Sequence, residues 1–268
     1  MPELITSRQN ARVKEAVKLR AARQRAKQRR FLIDGVREIQ RALAFGIEPL
    51  EVFVCPELCT TLAAKQIVEQ ISQSTAVVSP VTAEVFEKLC FGERIEGVLV
   101  VAQTPDRSLN RLSLPPSPLV AVLAGLEKPG NVGAILRTAD GAGLDAAIIA
   151  DGQTDLFNPN TIRASLGTVF APHVCAATTA EVLAKLSEWQ LPIIAARPDA
   201  ATLYTAADYR RGAAIVLGNE AAGLSTAWQQ KEIQTVQLPM RGIADSLNVS
   251  ATAAVLCYEA QRQRQADA

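Results

Sequence analysis

The chain has 268 residues, of which 49% are hydrophobic, 21% charged and 4% aromatic, with a net charge of +1. That balance excludes a disordered chain and a disulfide miniprotein, and no apolar run reaches the ~18–20 residues that a membrane span needs. At ~100–200 residues per domain the length fits two domains. The N-terminal MPELITSRQN lacks the apolar stretch of a secretory signal, and the five scattered cysteines fit reduced thiols better than a bridged framework. The expectation is a cytoplasmic protein with no membrane partner.

Charge is unevenly placed. Residues 8–30 hold ten of the 28 bases (Arg8, Arg12, Lys14, Lys18, Arg20, Arg23, Arg25, Lys27, Arg29, Arg30) and one of the 27 acids, Glu15. A basic arm on a mildly acidic body points to a polyanion, most commonly a phosphate backbone. The bland alternative is a solvated helix face, which ten bases against one acid make costly by mutual repulsion. Good helix formers and apolar marks at Val13, Ala16, Val17 and Leu19 predict one basic helix over 7–29.

Strands at 31–33, 50–54, 76–78 and 98–101 then alternate with helices over 36–44, 62–71 and 83–89, a small α/β domain over 1–104. The pattern stops in a proline-bearing stretch, 105–118, which reads as a linker. From Leu119 the alternation resumes, with strands at 119–124, 146–150, 193–196, 213–217 and 235–238. Several are continuous apolar runs, as strands covered on both faces of a parallel sheet require. Helices are expected over 132–141, 162–166, 180–189, 226–231 and 247–262, completing a second domain over 119–268.

Three loops in this second half follow strands and are rich in Gly, Asn and Pro: Gly125–Gly133, Gly218–Ser225 and Leu238–Asn248. In open α/β sheets ligands collect outside the carboxyl ends of strands, where glycine lets backbone groups approach closely. The first loop offers Gly130 and Gly133 without the full G-x-G-x-x-G, and no GK[ST] follows a strand, so dinucleotide and P-loop chemistry are poorly supported.

Asn131-Val-Gly-Ala-Ile-Leu-Arg137-Thr, Ile215-Val-Leu-Gly-Asn-Glu-Ala-Ala-Gly223-Leu and Leu238-Pro-Met … Ser246-Leu-Asn-Val-Ser250, in this order and spacing, resemble the SpoU (TrmH) family of RNA ribose 2′-O-methyltransferases of the SPOUT superfamily. The likeness covers 119–262, and residues 1–103 look like the substrate-binding domain many members carry. Ala221 departs from the pattern, since many relatives have Gly there. The resemblance implies a trefoil-knotted, mostly parallel sheet with helices on both faces that binds S-adenosylmethionine and forms a homodimer. A smaller N-terminal α/β domain would dock RNA, with rRNA expected ahead of tRNA. A non-catalytic RNA-binding dimer is the alternative from another class.

By position, the family's cofactor contacts fall on Gly218, Leu238, Met240 and Leu247, although Leu238 and Leu247 also read as plain core residues. Arg137 is the expected catalytic residue. A guanidinium is effectively always protonated, so it would grip the neighbouring phosphate or stabilise a developing alkoxide rather than act as a simple base. Asn131, Glu220, Ser246 and Asn248 would complete a polar catalytic cluster. Glu220 reads equally as a structural acceptor for loop N–H groups, and Asn131 and Asn248, each at a predicted helix start, as N-caps. Arg163 matches a segment near the family's RNA path, and Arg23, Arg25, Arg29 and Arg30 are expected to contact RNA. His173 and the Cys55/Cys59 pair are read as silent, without a metal, because four ligands at usable spacing are missing.

Overall fold

The computed structural model describes residues 3–92 and 95–266. The chain divides into two compact units, one comprising 1–106 together with 155–171, the other 107–154 together with 172–268.

The first unit opens with α1 (Ala11–Lys18) and α2 (Ala22–Gln28), two short helices where the sequence predicts one. Arg25 explains the break. Its Nη1 donates to the carbonyls of Leu19 at 2.8 Å and Arg20 at 2.7 Å, satisfying groups that a continuous helix would have bonded itself. Then come β1 (Arg30–Asp34), α3 (Val36–Ala44), β2 (Pro49–Val54), α4 (Leu62–Ser72), β3 (Val77–Pro80), α5 (Ala83–Leu89) and β4 (Val98–Gln103). The four strands form a mixed sheet in the order β1-β4-β2-β3, antiparallel except between β2 and β3. Val13, Ala16 and Leu19 of the basic segment pack with Phe53, Val85, Phe86 and Leu99 in the core on one side.

The second unit is built on β5 (Leu119–Ala124), α6 (Pro129–Gly141) and β6 (Ala146–Ala150). After β6 the chain contributes α7 (Pro159–Ala164) to the first unit, where Phe157 and Phe170 stack with Phe31 at centroid distances of 4.3 and 5.9 Å. It then resumes the second unit with β7 (Val174–Ala177), α8 (Thr179–Glu188), β8 (Ile193–Ala196), β9 (Thr202–Leu203), β10 (Ala213–Leu217), β11 (Gln234–Gln237) and α9 (Val249–Ala266). The seven strands run parallel in the order β7-β6-β5-β10-β8-β11-β9. β5, β6 and β10 are buried at every position, which accounts for their unbroken apolar sequences. β7 and β9, short edge strands made partly of small or polar residues, lie outside the predicted set. The helix expected over 226–231 is instead a single 3₁₀ turn, Thr226–Trp228, set by burial of the Trp228 ring among core aliphatics. No helix among the described residues is long and apolar enough to cross a membrane.

Candidate active site

The carboxyl ends of β5, β10, β8 and β11, four neighbours in the sheet, surround a cavity of about 510 Å³. Such a volume suits a cofactor-sized ligand. Lys128 precedes α6, Gly218 to Gly223 follow β10, Ala196 to Pro198 close β8, and Leu238 to Val249 lead from β11 into α9. Seven residues singled out from the sequence meet on its wall: Gly218, Glu220, Leu238, Met240, Ser246, Leu247 and Asn248. Leu238 and Met240 are half-buried and Leu247 is 41% exposed, so these side chains face the cavity rather than the core.

Asn219, which sequence reasoning passed over, shapes the loop behind β10. Its side-chain oxygen accepts the N–H groups of Ala221 and Ala222, each at 2.9 Å, and its Nδ2 donates to the Gly125 carbonyl at 2.9 Å. Backbone bonds between Asn219 and Gly223 close the loop. Gly218 is required by space, because an added Cβ would lie 2.7 Å from the carbonyl carbon of Gly223. Gly223 is required by its backbone, at φ +67°. Ala221 lies outside the left-handed region, so glycine is not needed there and the departure from the family pattern carries no strain.

Asn131 joins the cavity's edge through hydrogen bonds. Its Nδ2 donates to Glu220 Oε1 at 2.5 Å, and its Oδ1 accepts from Asn248 Nδ2 at 3.3 Å. α6 begins at Pro129, two residues before Asn131, so Asn131 is not the N-cap that the sequence suggested. Asn248 does cap α9: its Oδ1 accepts from the Ser250 N–H at 2.8 Å while its amide reaches Asn131. Arg137 is exposed and absent from the wall. It lies six residues beyond Asn131 on α6, roughly 9 Å along the axis and on a different face.

The five arginines assigned to RNA divide. Arg25 is only 4% exposed, its guanidinium bonded to Asp155 at 2.5 and 3.0 Å as well as to two carbonyls. Arg163 donates to Asp34 at 3.3 Å and to the Phe91 carbonyl, and lies over the Phe91 ring. Both bond within the first unit, Arg25 with its side chain buried and Arg163 with its side chain 26% exposed. Arg23, Arg29 and Arg30 are exposed. With Lys14 and Lys27 they are the cations of the basic segment that the described residues leave without an ion pair or side-chain hydrogen bond. Arg8, Arg12 and Lys18 are paired with acids, and Arg20 donates to two carbonyls.

Two more charged residues stand on the wall without a sequence signal: Arg197 follows β8 in a loop that has no glycine, and Asp245 lies within the glycine-bearing loop Leu238–Asn248 but outside the matched motif residues. The wall therefore carries two bases, Lys128 and Arg197, and two acids, Glu220 and Asp245, beside an apolar face. That donor set fits S-adenosylmethionine, which presents an apolar-faced adenine, a sulfonium, an ammonium and a carboxylate. No group of three or more His, Cys, Asp or Glu among the described residues could hold a metal ion.

Comparison with known proteins agrees with this geometry. Residues 118–258 match the model of the SpoU rRNA Methylase family and residues 10–100 that of an MRM3-like substrate binding domain. The chain is 28% identical to the 23S rRNA (guanosine(2553)-2′-O)-methyltransferase RlmP of Bacillus subtilis (strain 168), over 95% of this chain and 97% of that one. It is 34% identical to the 23S rRNA (guanosine-2′-O-)-methyltransferase RlmB of Bordetella pertussis, over 74% and 82%. A crystal structure of an RNA 2′-O ribose methyltransferase superposes with a TM-score of 0.84 at 42% identity, over 98% of this chain and all of that one. AviRb from Streptomyces viridochromogenes, in complex with AdoMet, gives 0.86 at 25% identity, over 96% and 99%. With its motifs gathered on one cavity above a parallel sheet, the chain belongs to the SpoU rRNA methylase family.

Proposed function

We propose that this protein methylates a ribose 2′-hydroxyl of structured rRNA from S-adenosylmethionine in the cytoplasm, as a homodimer whose first unit docks the RNA. The observation that carries the reading is the convergence of the loops behind β10 and β11 on one cavity, with Asn131, Glu220 and Asn248 linked at its edge. The trefoil knot implied by the resemblance is part of the same proposal.

Gly218, Leu238, Met240 and Leu247 would hold the methyl donor, backbone groups meeting the adenine edge and the Leu and Met side chains walling it. When bound, S-adenosylmethionine supplies an electrophilic methyl group. Glu220 Oε1 is occupied by Asn131, while no described residue bonds Oε2, which leaves one carboxylate oxygen able to take the hydroxyl proton. Asn131 fixes that carboxylate, and Asn248 fixes Asn131 while anchoring α9. Arg137, outside the cavity of its own protomer, would serve the partner's, gripping the phosphate beside the target ribose as a permanent cation. Arg23, Arg29 and Arg30, with Lys14 and Lys27, would meet the phosphate backbone.

The test combines purified protein, S-adenosylmethionine and rRNA from a strain lacking the gene, followed by mapping of 2′-O-methyl groups. A single newly methylated rRNA nucleotide is expected. Transfer to tRNA alone would move the substrate, and retained RNA binding without any transfer would favour a non-catalytic RNA-binding dimer.

A further inference from the structure

Arg197 closes β8 and is half-buried on the cavity wall, while its ion-pair partner Asp199 is 66% exposed and lies off the wall. The pair is bidentate: Nε donates to Asp199 Oδ1 at 2.9 Å and Nη2 to Oδ2 at 2.7 Å. These bonds hold the Asp199 carboxyl below the usual carboxylate range, so the clamp persists at neutral pH. A guanidinium carries five N–H bonds, and the clamp uses two, leaving both on Nη1 and one on Nη2. The backbone is fixed as well. The Arg197 N–H donates to the Val236 carbonyl at 2.9 Å, and Pro198 restricts the residue before it to extended conformations.

Strand order separates the two cations of the wall. Lys128 follows β5 and Arg197 follows β8, with β10 between them, so their strand ends lie roughly 10 Å apart. Glu220 and Asn131, which would handle the reacting hydroxyl, belong to the β5 and β10 side. The apolar residues Leu238, Met240 and Leu247 come from the β11 side, next to β8. A methyl donor reacting beside Glu220 therefore extends its nucleoside toward β8 and β11. Lys128 has no ion pair among the described residues and suits an anionic group. Arg197, its charge already balanced by Asp199, offers directed N–H groups instead, which suit an uncharged polar acceptor. The nucleoside end presents such acceptors as ribose oxygens.

We infer that Arg197, clamped by Asp199, is a positioning residue that donates to the ribose oxygens of the methyl donor's nucleoside. The inference rests on the methyltransferase reading above and adds a residue that family resemblance did not supply. It distinguishes Arg197 from a surface ion pair and from a contact to RNA phosphate.

The experiment is calorimetric titration of the full-length protein with S-adenosylmethionine and with S-adenosylhomocysteine, for wild type, Arg197→Ala, Arg197→Lys and Asp199→Asn, alongside RNA binding and steady-state kinetics. Arg197→Ala is expected to weaken both ligands by about tenfold, the scale of losing a charge-assisted hydrogen bond. KM for S-adenosylmethionine should rise by about the same factor, with kcat at saturation within about twofold of wild type and RNA affinity unchanged. Lysine lacks the fork and should not restore binding, and Asp199→Asn should fall between. Unchanged affinity for both ligands in Arg197→Ala would overturn the inference in favour of a surface ion pair, and lost RNA affinity with unchanged ligand affinity would assign the residue to RNA. Failure of the wild type to bind either ligand would instead overturn the methyltransferase reading itself.

Discussion

Asn131 on α6 and Glu220 behind β10 are joined by a 2.5 Å hydrogen bond across 89 positions of the chain. The second carboxylate oxygen of Glu220 has no hydrogen bond from the described residues, and the proposed proton transfer uses it. Glu220→Gln keeps an oxygen able to accept from Asn131 but removes the basic group. It is expected to lower kcat by about a hundredfold or more, with S-adenosylmethionine affinity by calorimetry within about threefold of wild type. Near-normal turnover in this variant would take the carboxylate out of proton handling.

The divided arginines make a paired expectation. Arg25→Ala leaves Asp155 and two carbonyls without their donor, and should cost on the order of 3 kcal/mol in chemical unfolding. Arg23→Ala, Arg29→Ala and Arg30→Ala together should leave stability nearly unchanged yet weaken RNA binding. They should also lower the slope of log affinity against log salt by roughly two to three. An unchanged slope would place the RNA elsewhere.

Gly218→Ala puts a methyl group 2.7 Å from the carbonyl carbon of Gly223 and 2.8 Å from its oxygen, both backbone atoms. The loop must open, so S-adenosylmethionine binding should fall at least about tenfold in calorimetry, with thermal unfolding only modestly lowered. Full-strength binding would show that the loop can shift without reshaping the cavity.

Asp34 supplies a pH dependence. Burial raises its carboxyl from 3.8 to about 6, against the lowering effects of the Phe91 N–H and the Arg163 guanidinium. The folded protein therefore holds this proton more tightly than the unfolded chain does. The group's contribution is most favourable below its unfolded value, declines as pH rises toward about 6, and is level above that. The span corresponds to roughly 3 kcal/mol. Urea unfolding of wild type and Asp34→Asn near pH 4 and pH 7 checks it: the asparagine variant should gain on wild type by about that amount at the higher pH. Parallel pH profiles would rule Asp34 out as the source.

The sheet was legible because strands covered on both faces have nowhere to put a polar residue. Leu119–Ala124 and Ala213–Leu217 could therefore be bounded to the residue. The two loops behind β10 and β11 were legible because close backbone approach demands glycine, as Gly218 illustrates. What stayed hidden depended on distant partners. Arg25 is one base among ten until Asp155, 130 positions away, takes its guanidinium into the interior. Arg197 sits in a loop without glycine, and only the strand order sets that loop beside the other two. Arg137 announces itself by motif, yet it has no place on the cavity wall.

The stretch 155–171 falls inside the family-matched segment 118–258 but packs with the first unit, through Phe157, Phe170, Asp155 and Arg163. Neither half is consequently a portable cassette. Severing the chain within 105–118 would leave a carboxyl-terminal fragment carrying two aromatic rings, an acid and a guanidinium whose complements, Phe31, Arg25 and Asp34, stay on the other piece. Recombination that exchanges the first unit between such proteins must move its two noncontiguous stretches together.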